Sequence, residues 1–267
     1  MDVKNPVKVK IRKGVPVFGT WVMMGDLAAA EILARIGYDW VAVDIEHTAI
    51  GYETLRTLVC GIQRHGAQPF VRVEENDATV IKRVLDCGAT GIIVPQVCSA
   101  REAERAARAA LYPPEGLRGI SISRATEYGA NFQDYFRSIN DQLVVIVQIE
   151  HIRGVEAVEE ILAVKGVDGI FVGPYDLSGS MGIVGEFEHP RLKEALDRCA
   201  RAAKQAKKAL GYHVVAPDSA QALQRLEQGF NFIACSTDTL FLHHSATGML
   251  AALRERAEKM YETNGRG

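Results

Sequence analysis

Short apolar runs alternate with amphipathic stretches along the chain, and their boundaries carry Gly, Asp, Pro or Ser. Residues 17–23, 40–45, 69–73, 91–97, 143–150, 168–172, 211–215 and 232–236 are too short for buried helices and read as strands covered on both faces. Between them the apolar positions take helical spacing over 28–36, 52–65, 78–87, 101–111, 155–164, 190–208 and 219–228, and a long helix is predicted over 240–262. Gly37, Gly66, Gly88, Gly166 and Gly229 stand where helices stop, the position that favours a left-handed residue. Eight strand and helix pairs in a chain close to the ~250 residues usual for the fold predict an α/β (β/α)8 TIM barrel over residues 1–267 as one domain. A doubly wound open sheet is the alternative, but no Gly-x-Gly-x-x-Gly follows the first strand. Only residues 112–131 break the rhythm, a loop rich in Gly, Arg and Ser of the length that functional loops have.

A barrel carries its chemistry on the loops after the strands. Those ends supply Trp21, Asp44-Ile-Glu-His47, Arg72, Gln148 with Glu150, and Gly173-Pro-Tyr-Asp176. Glu150 and Asp176 each close an apolar run, and the two runs are separated by one helix-sized segment. Their carboxylates are therefore expected on neighbouring strands about 5 Å apart at the same rim. Two hard oxygen donors with no His or Cys in a ligand pattern suit Mg2+ or Mn2+ ahead of Co2+ or Zn2+. Each residue also has an ordinary reading: Glu150 and Asp176 as helix N-caps, His47 as a surface histidine, Arg72 as the partner of a helix acid. Their meeting at one rim is what favours function.

Composition narrows the classes. The 267 residues are 48% hydrophobic and 24% charged with a net charge of −2, which fits a globular chain and offers no bulk attraction to nucleic acid or anionic membrane. No apolar stretch reaches the ~18 residues of a membrane span and the start lacks a secretory core, so a cytoplasmic location is expected. The five cysteines are scattered without a Cys-x-x-Cys pair and read as reduced thiols.

Asp44-x-Glu-His47, Val71-Arg72, Val84-Leu-Asp-x-Gly-Ala89, Gly91-x-x-Val-Pro-Gln96, Tyr112-Pro-Pro-x-Gly-x-Arg-Gly119, Val147-Gln-Ile-Glu150 and Val167-Asp-Gly-Ile-Phe-Val-Gly-Pro-x-Asp-Leu-Ser178 occur in this order over nearly the whole chain. This series resembles the HpcH/HpaI class II pyruvate aldolases, among them 4-hydroxy-2-oxoheptanedioate aldolase and 2-dehydro-3-deoxyglucarate aldolase. The resemblance implies reversible cleavage of a 4-hydroxy-2-oxo acid to pyruvate and an aldehyde through a metal-stabilised enolate. It implies Glu150 and Asp176 as ligands of the divalent ion, Arg72 beside the keto oxygen, and His47 with Asp44 as an acid–base dyad. It further implies a hexamer, a trimer of dimers that exchange their last helix, with Asp86 reaching a neighbouring site. Trp21, Gln148, Gly173 and Tyr175 are expected near the substrate. Backbone N–H groups around Tyr175 and Asp176 are expected to meet its carboxylate.

No lysine ends a predicted strand, which agrees with enolate chemistry that needs no Schiff base. Ile45, His151 and Tyr175 depart from the family pattern and bear on the aldehyde accepted. Arg118, Arg124 and Gly211-Tyr-His213 are further candidates for the substrate tail. Two other readings stay open: a related enolate-forming lyase, decarboxylase or synthase, and a non-catalytic barrel that binds a 2-oxo acid. A thioester lyase would be expected to carry a basic nucleotide-binding segment, and a binding barrel to lack a member of the rim set.

Overall fold

In the computed structural model, residues 5–264 are described, with side chains to Tyr261. The apolar runs form β1 Val17–Val22, β2 Trp40–Asp44, β3 Gln68–Arg72, β4 Gly91–Val94, β5 Val144–Ile149, β6 Gly169–Val172, β7 Ala209–Val214 and β8 Phe232–Thr237. All neighbours pair in parallel and β8 returns to β1, so the sheet is closed in the order β1 to β8. The helices are α1 Pro6–Arg12, α2 Leu27–Ile36, α3 Tyr52–Arg64, α4 Ala78–Asp86, α5 Ala100–Ala110, α6 Phe132–Gln142, α7 Ile152–Glu156, α8 Val158–Ala163, α9 Pro174–Ser180, α10 Pro190–Ala206, α11 Ser219–Glu227 and α12 Asp238–Asn264.

Two apolar assemblies follow from strand alternation. Outward-facing strand residues such as Val43, Val71, Ile92, Val145 and Ile170 pack under the helices. Inward-facing Val17, Trp40, Phe70, Val144, Phe171 and Phe232 fill the barrel, with Trp40 stacked on Phe232 at 4.4 Å. Val7 and Ile11 of α1 join this inner cluster and close the lower end. Between them Lys8 is held by the Leu143 carbonyl and, at 3.1 Å, by Asp168. Gly211 and Gly91 pass so close to Phe171 and Phe70 that a Cβ would fall 2.4 and 2.3 Å from the rings.

The structure departs from the predicted elements in three places. The helix expected over 155–164 is two short helices, α7 and α8, divided at Ala157, whose backbone leaves helical values. The stretch expected as a loop over 112–131 contains a 3-10 segment, Arg124–Gly129, and leads into the unpredicted α6. The last helix is longer than expected, and it is exposed from Leu242 through Tyr261.

Candidate active site

β2 and β3 pair so that Asp44 lies directly opposite Arg72. With both side chains facing inward at the C-terminal rim, the register alone delivers a bidentate ion pair. Arg72 Nη2 donates to Asp44 Oδ2 at 2.7 Å and Nε donates to Oδ1 at 2.9 Å. The guanidinium lies 4.7 Å from the Trp21 ring centroid. Glu46 Oε2 approaches Arg72 Nε at 3.2 Å and His47 Nε2 at 3.5 Å.

The expected Asp44–His47 dyad is not the pairing found. Asp44 has 0% side-chain exposure and its oxygens are occupied by Arg72 and by the Glu46 backbone N–H, whereas 58% of the His47 side chain is exposed. The carboxylate beside the imidazole is that of Glu46. Strand alternation explains this, because Ile45 turns outward into the core and returns Glu46 to the barrel side with Asp44.

Across the mouth, β5 presents Gln148 and then Glu150. Glu150 Oε1 accepts from the Gln148 amide, and Oε2 accepts from the Gln96 backbone N–H at 2.9 Å. Gln96 adopts φ of 54°, a left-handed conformation that is costly without glycine and is retained here at a functional rim. Gly173 makes room for the same carboxylate, since a Cβ there would stand 2.9 Å from Glu150 Cγ. It also begins α9 with no side-chain cap, leaving the first N–H groups of that helix without a side-chain acceptor. Asp176 is exposed in the first turn of α9 and interacts with both Glu46 and Glu150. Burial pushes Glu46 up to about 7, with Asp44 and Asp176 adding and Arg72 opposing. Burial likewise pushes Glu150 up to about 7, aided by Glu46 and Asp176 and opposed by the Gln96 N–H and Arg72.

Trp21, only 2% exposed, lies beneath Arg72 as a platform. His213 of β7 lies against Trp21 with ring centroids 5.8 Å apart, and burial lowers its pKa to about 4. Tyr175 is half exposed at the rim, edge-on to Phe187 at 4.7 Å. His151 caps α7 by accepting from the Arg153 N–H. The expected tail-binding arginines are engaged elsewhere. Arg118, with 0% side-chain exposure, is enclosed by Tyr112 and Tyr135 and donates to Asp86 at 2.9 Å. Arg124 is bound to Cys60, Gln63 and the Cys87 carbonyl. Asp86 closes α4, at the end of that helix away from the rim, and also accepts from Ser121. This chain therefore brings Asp44, Glu46, His47, Arg72, Gln148, Glu150, Gly173 and Asp176 together and leaves Asp86 apart. Glu46 and Gln96 are the rim residues that residue type alone did not single out, although alternation from Asp44 points to the first.

These groups fit a divalent cation. Gln148 Oε1 and Glu46 Oε2 are buried without hydrogen-bond donors, and Glu150 carries an uncompensated charge beside two further carboxylates. Among the described residues no group of three or more His, Cys, Asp or Glu side chains has metal-holding spacing. Glu150 and Asp176 would therefore hold the ion with positions left for substrate and water, the donor set of a hard, open oxygen site.

Comparison with known proteins gives the same direction. The chain is 36% identical over 257 residues to the 4-hydroxy-2-oxo-heptane-1,7-dioate aldolase of Shigella sonnei (strain Ss046), covering 96% of this chain and 97% of that one. It is 39% identical over 257 residues to the hydroxypyruvate/pyruvate aldolase of Paraburkholderia phytofirmans, covering 94% and 98%. A solved HpcH/HpaI aldolase/citrate lyase family protein from Burkholderia cenocepacia J2315 superposes with a TM-score of 0.89 at 36% identity, covering 94% of this chain and 100% of that one. Residues 18–245 match the family itself, and the chain belongs to the HpcH/HpaI aldolase/citrate lyase family.

Proposed function

We propose that this protein is a metal-dependent pyruvate aldolase that cleaves a 4-hydroxy-2-oxo acid to pyruvate and an aldehyde, and catalyses the reverse addition. Its place among carbon–carbon lyases follows from its relatives, which are aldolases. The observation that carries the finer reading is a fixed guanidinium facing two under-neutralised carboxylates across one barrel mouth.

Cleavage leaves negative charge on the keto oxygen of the pyruvate portion. Arg72, always protonated and clamped on both edges by Asp44, offers a donor to that oxygen without reorganising. Glu150 and Asp176 hold a divalent ion, Mg2+ or Mn2+ by donor type, which when bound supplies Lewis-acid stabilisation of the same charge. The free N–H groups at the start of α9 lie beside these acids and suit the substrate carboxylate. His47, exposed at the edge, takes the proton of the C4 hydroxyl as the C3–C4 bond breaks and returns it in addition. Tyr175 and Phe187 form an aromatic wall for the aldehyde portion at the same rim.

The same reading extends to assembly. Leu242, Met249, Leu250 and Leu253 of α12 are exposed, and an apolar cavity of about 410 Å3 lined by Phe18, Tyr38, Leu223, Leu226 and Phe241 opens on the barrel wall. Exchange of α12 between two copies covers both surfaces, and a trimer of such dimers is the expected form. Light scattering tests it, and a stable monomer refutes it.

The activity is tested by supplying pyruvate with a panel of aldehydes, with and without Mg2+. Aldol products that require the metal support the reading. Metal-dependent exchange of pyruvate's methyl protons with no aldehyde accepted would point to another enolate-forming lyase.

A further inference from the structure

We infer that Glu46, and not Asp44, is the positioning residue for His47. This rests on the reading of His47 as the acid–base group. Asp44 is committed: Oδ2 accepts from Arg72 Nη2 at 2.7 Å, and Oδ1 accepts from Arg72 Nε at 2.9 Å and from the Glu46 N–H at 3.1 Å. The backbone N–H of His47, rather than its ring, is the part of that residue turned to Asp44, at 3.5 Å. Glu46 is in the opposite condition. Its Oε2 is buried and receives no hydrogen bond, although Arg72 Nε lies 3.2 Å away and His47 Nε2 lies 3.5 Å away. A buried carboxylate oxygen without a donor is unfavourable. The Arg72 Nε hydrogen is already directed to Asp44, so the mobile donor at hand is the imidazole.

A small rotation of the exposed His47 ring completes an Nε2–H to Glu46 hydrogen bond. That bond fixes the tautomer and leaves Nδ1 as the nitrogen that accepts the substrate's proton. The charged groups facing the pair are Asp44 from β2, Arg72 from β3, Glu150 from β5 and Asp176 after β6. Of these, Glu46 is the acid in reach of the ring. Two carboxylates with separate tasks replace the single dyad: Asp44 holds the guanidinium, Glu46 holds the imidazole.

The test is site-resolved carbethoxylation of His47 by diethyl pyrocarbonate in the Mg2+-loaded full-length protein, followed by peptide mass spectrometry from about pH 5 to 8, where imidazoles titrate. The reagent attacks neutral imidazole, so the rate reports its protonation without any substrate. In Glu46→Gln, an isosteric change, the His47 midpoint is expected to fall by roughly half to one pH unit, the effect of a lost carboxylate at this separation. The acid limb of the cleavage rate should move with it. In Asp44→Asn the midpoint should stay in place while pyruvate proton exchange falls, because Arg72 loosens. Glu46→Asp, which keeps the charge but shortens its reach, should lie between Glu46→Gln and wild type. An unchanged midpoint in Glu46→Gln, or a shift in Asp44→Asn, overturns the inference. A shifted midpoint in a protein without aldol activity would overturn the reaction and leave the pairing standing.

Discussion

Arg72→Ala removes two things at once, and the structure allows them to be separated. The guanidinium makes two charge-assisted bonds to a fully enclosed Asp44, rests on Trp21 and approaches Glu46. Truncation strands the Asp44 carboxylate in the barrel, which by the usual cost of an orphaned buried charge removes about 3–5 kcal/mol of stability. Truncation also removes the fixed donor from the enolate oxygen, which by analogy with an oxyanion donor costs about 2.7–4 kcal/mol in the transition state, or roughly 10²–10³ in rate. The double variant Arg72→Ala/Asp44→Asn distinguishes the two, because neutralising Asp44 removes the stranded charge without replacing the donor. We expect thermal unfolding of the double variant to recover most of the loss seen in Arg72→Ala. Exchange of pyruvate's methyl protons, followed by NMR in deuterated buffer with saturating Mg2+, should stay as low as in the single variant. Exchange that returns together with stability would refute a direct role for Arg72 at the developing charge and reduce it to a structural ion pair.

Three other outcomes follow from the same geometry. EDTA should abolish cleavage and Mg2+ or Mn2+ should restore it, whereas borohydride reduction in the presence of pyruvate should leave no lysine adduct; a trapped lysine would refute the metal reading. His47→Ala should slow cleavage of a 4-hydroxy-2-oxo acid by roughly 10²–10⁴-fold, the worth of a positioned acid–base group, and unchanged cleavage with the metal site intact would remove His47 from the mechanism. Gly173→Ala places a Cβ 2.9 Å from Glu150 Cγ, so titration calorimetry should show weakened Mn2+ binding with the fold retained by circular dichroism, and wild-type affinity would show that Glu150 does not hold the ion from this position.

The strands were legible because each is enclosed on both faces, so its composition is apolar without interruption, and because glycines mark the helix ends: Gly37, Gly66, Gly88, Gly166 and Gly229 all have positive φ. α6 was not legible. Of its Phe-Gln-Asp-Tyr-Phe-Arg-Ser-Ile-Asn-Asp-Gln sequence only Ile139 is buried, so the helical stripe that periodicity needs is nearly missing. α1 escaped notice because a plug at the barrel floor needs only Val7 and Ile11, one turn apart. At the rim, position along the strand identifies Glu150 and Asp176, since both immediately follow inward-facing runs. Partnership is set by register, which a single sequence does not print: Asp44 opposite Arg72 decides that Asp44 serves the guanidinium, and only then does Glu46 become the acid left for His47. Arg118 shows the opposite error. An arginine in a polar loop reads as free, yet two tyrosines and Asp86 enclose it.

The mouth of the barrel departs from the packing beneath it. Trp21, Arg72, Gln148 and His213 come from β1, β3, β5 and β7, the alternate-strand layer that in such barrels is usually filled by branched apolar side chains. Trp21 Nε1, Gln148 Oε1 and His213 Nε2 are buried there without partners, each an unfavourable burial of about 1–3 kcal/mol if nothing else bonds them. Packing cannot be the reason for this layer, because the aromatic stack of Trp40, Phe70 and Phe232 below it fills the same diameter with no such cost. Charge gives a reason. Burial takes His213 down to about 4, so near neutrality it adds no second cation beside Arg72. One guanidinium then faces Asp44, Glu46, Glu150 and Asp176, and its two best bonds go to Asp44. The other three carboxylates are left under-neutralised in a partly dehydrated mouth, which is a field that attracts a divalent cation and holds it against the carboxylates rather than against a histidine.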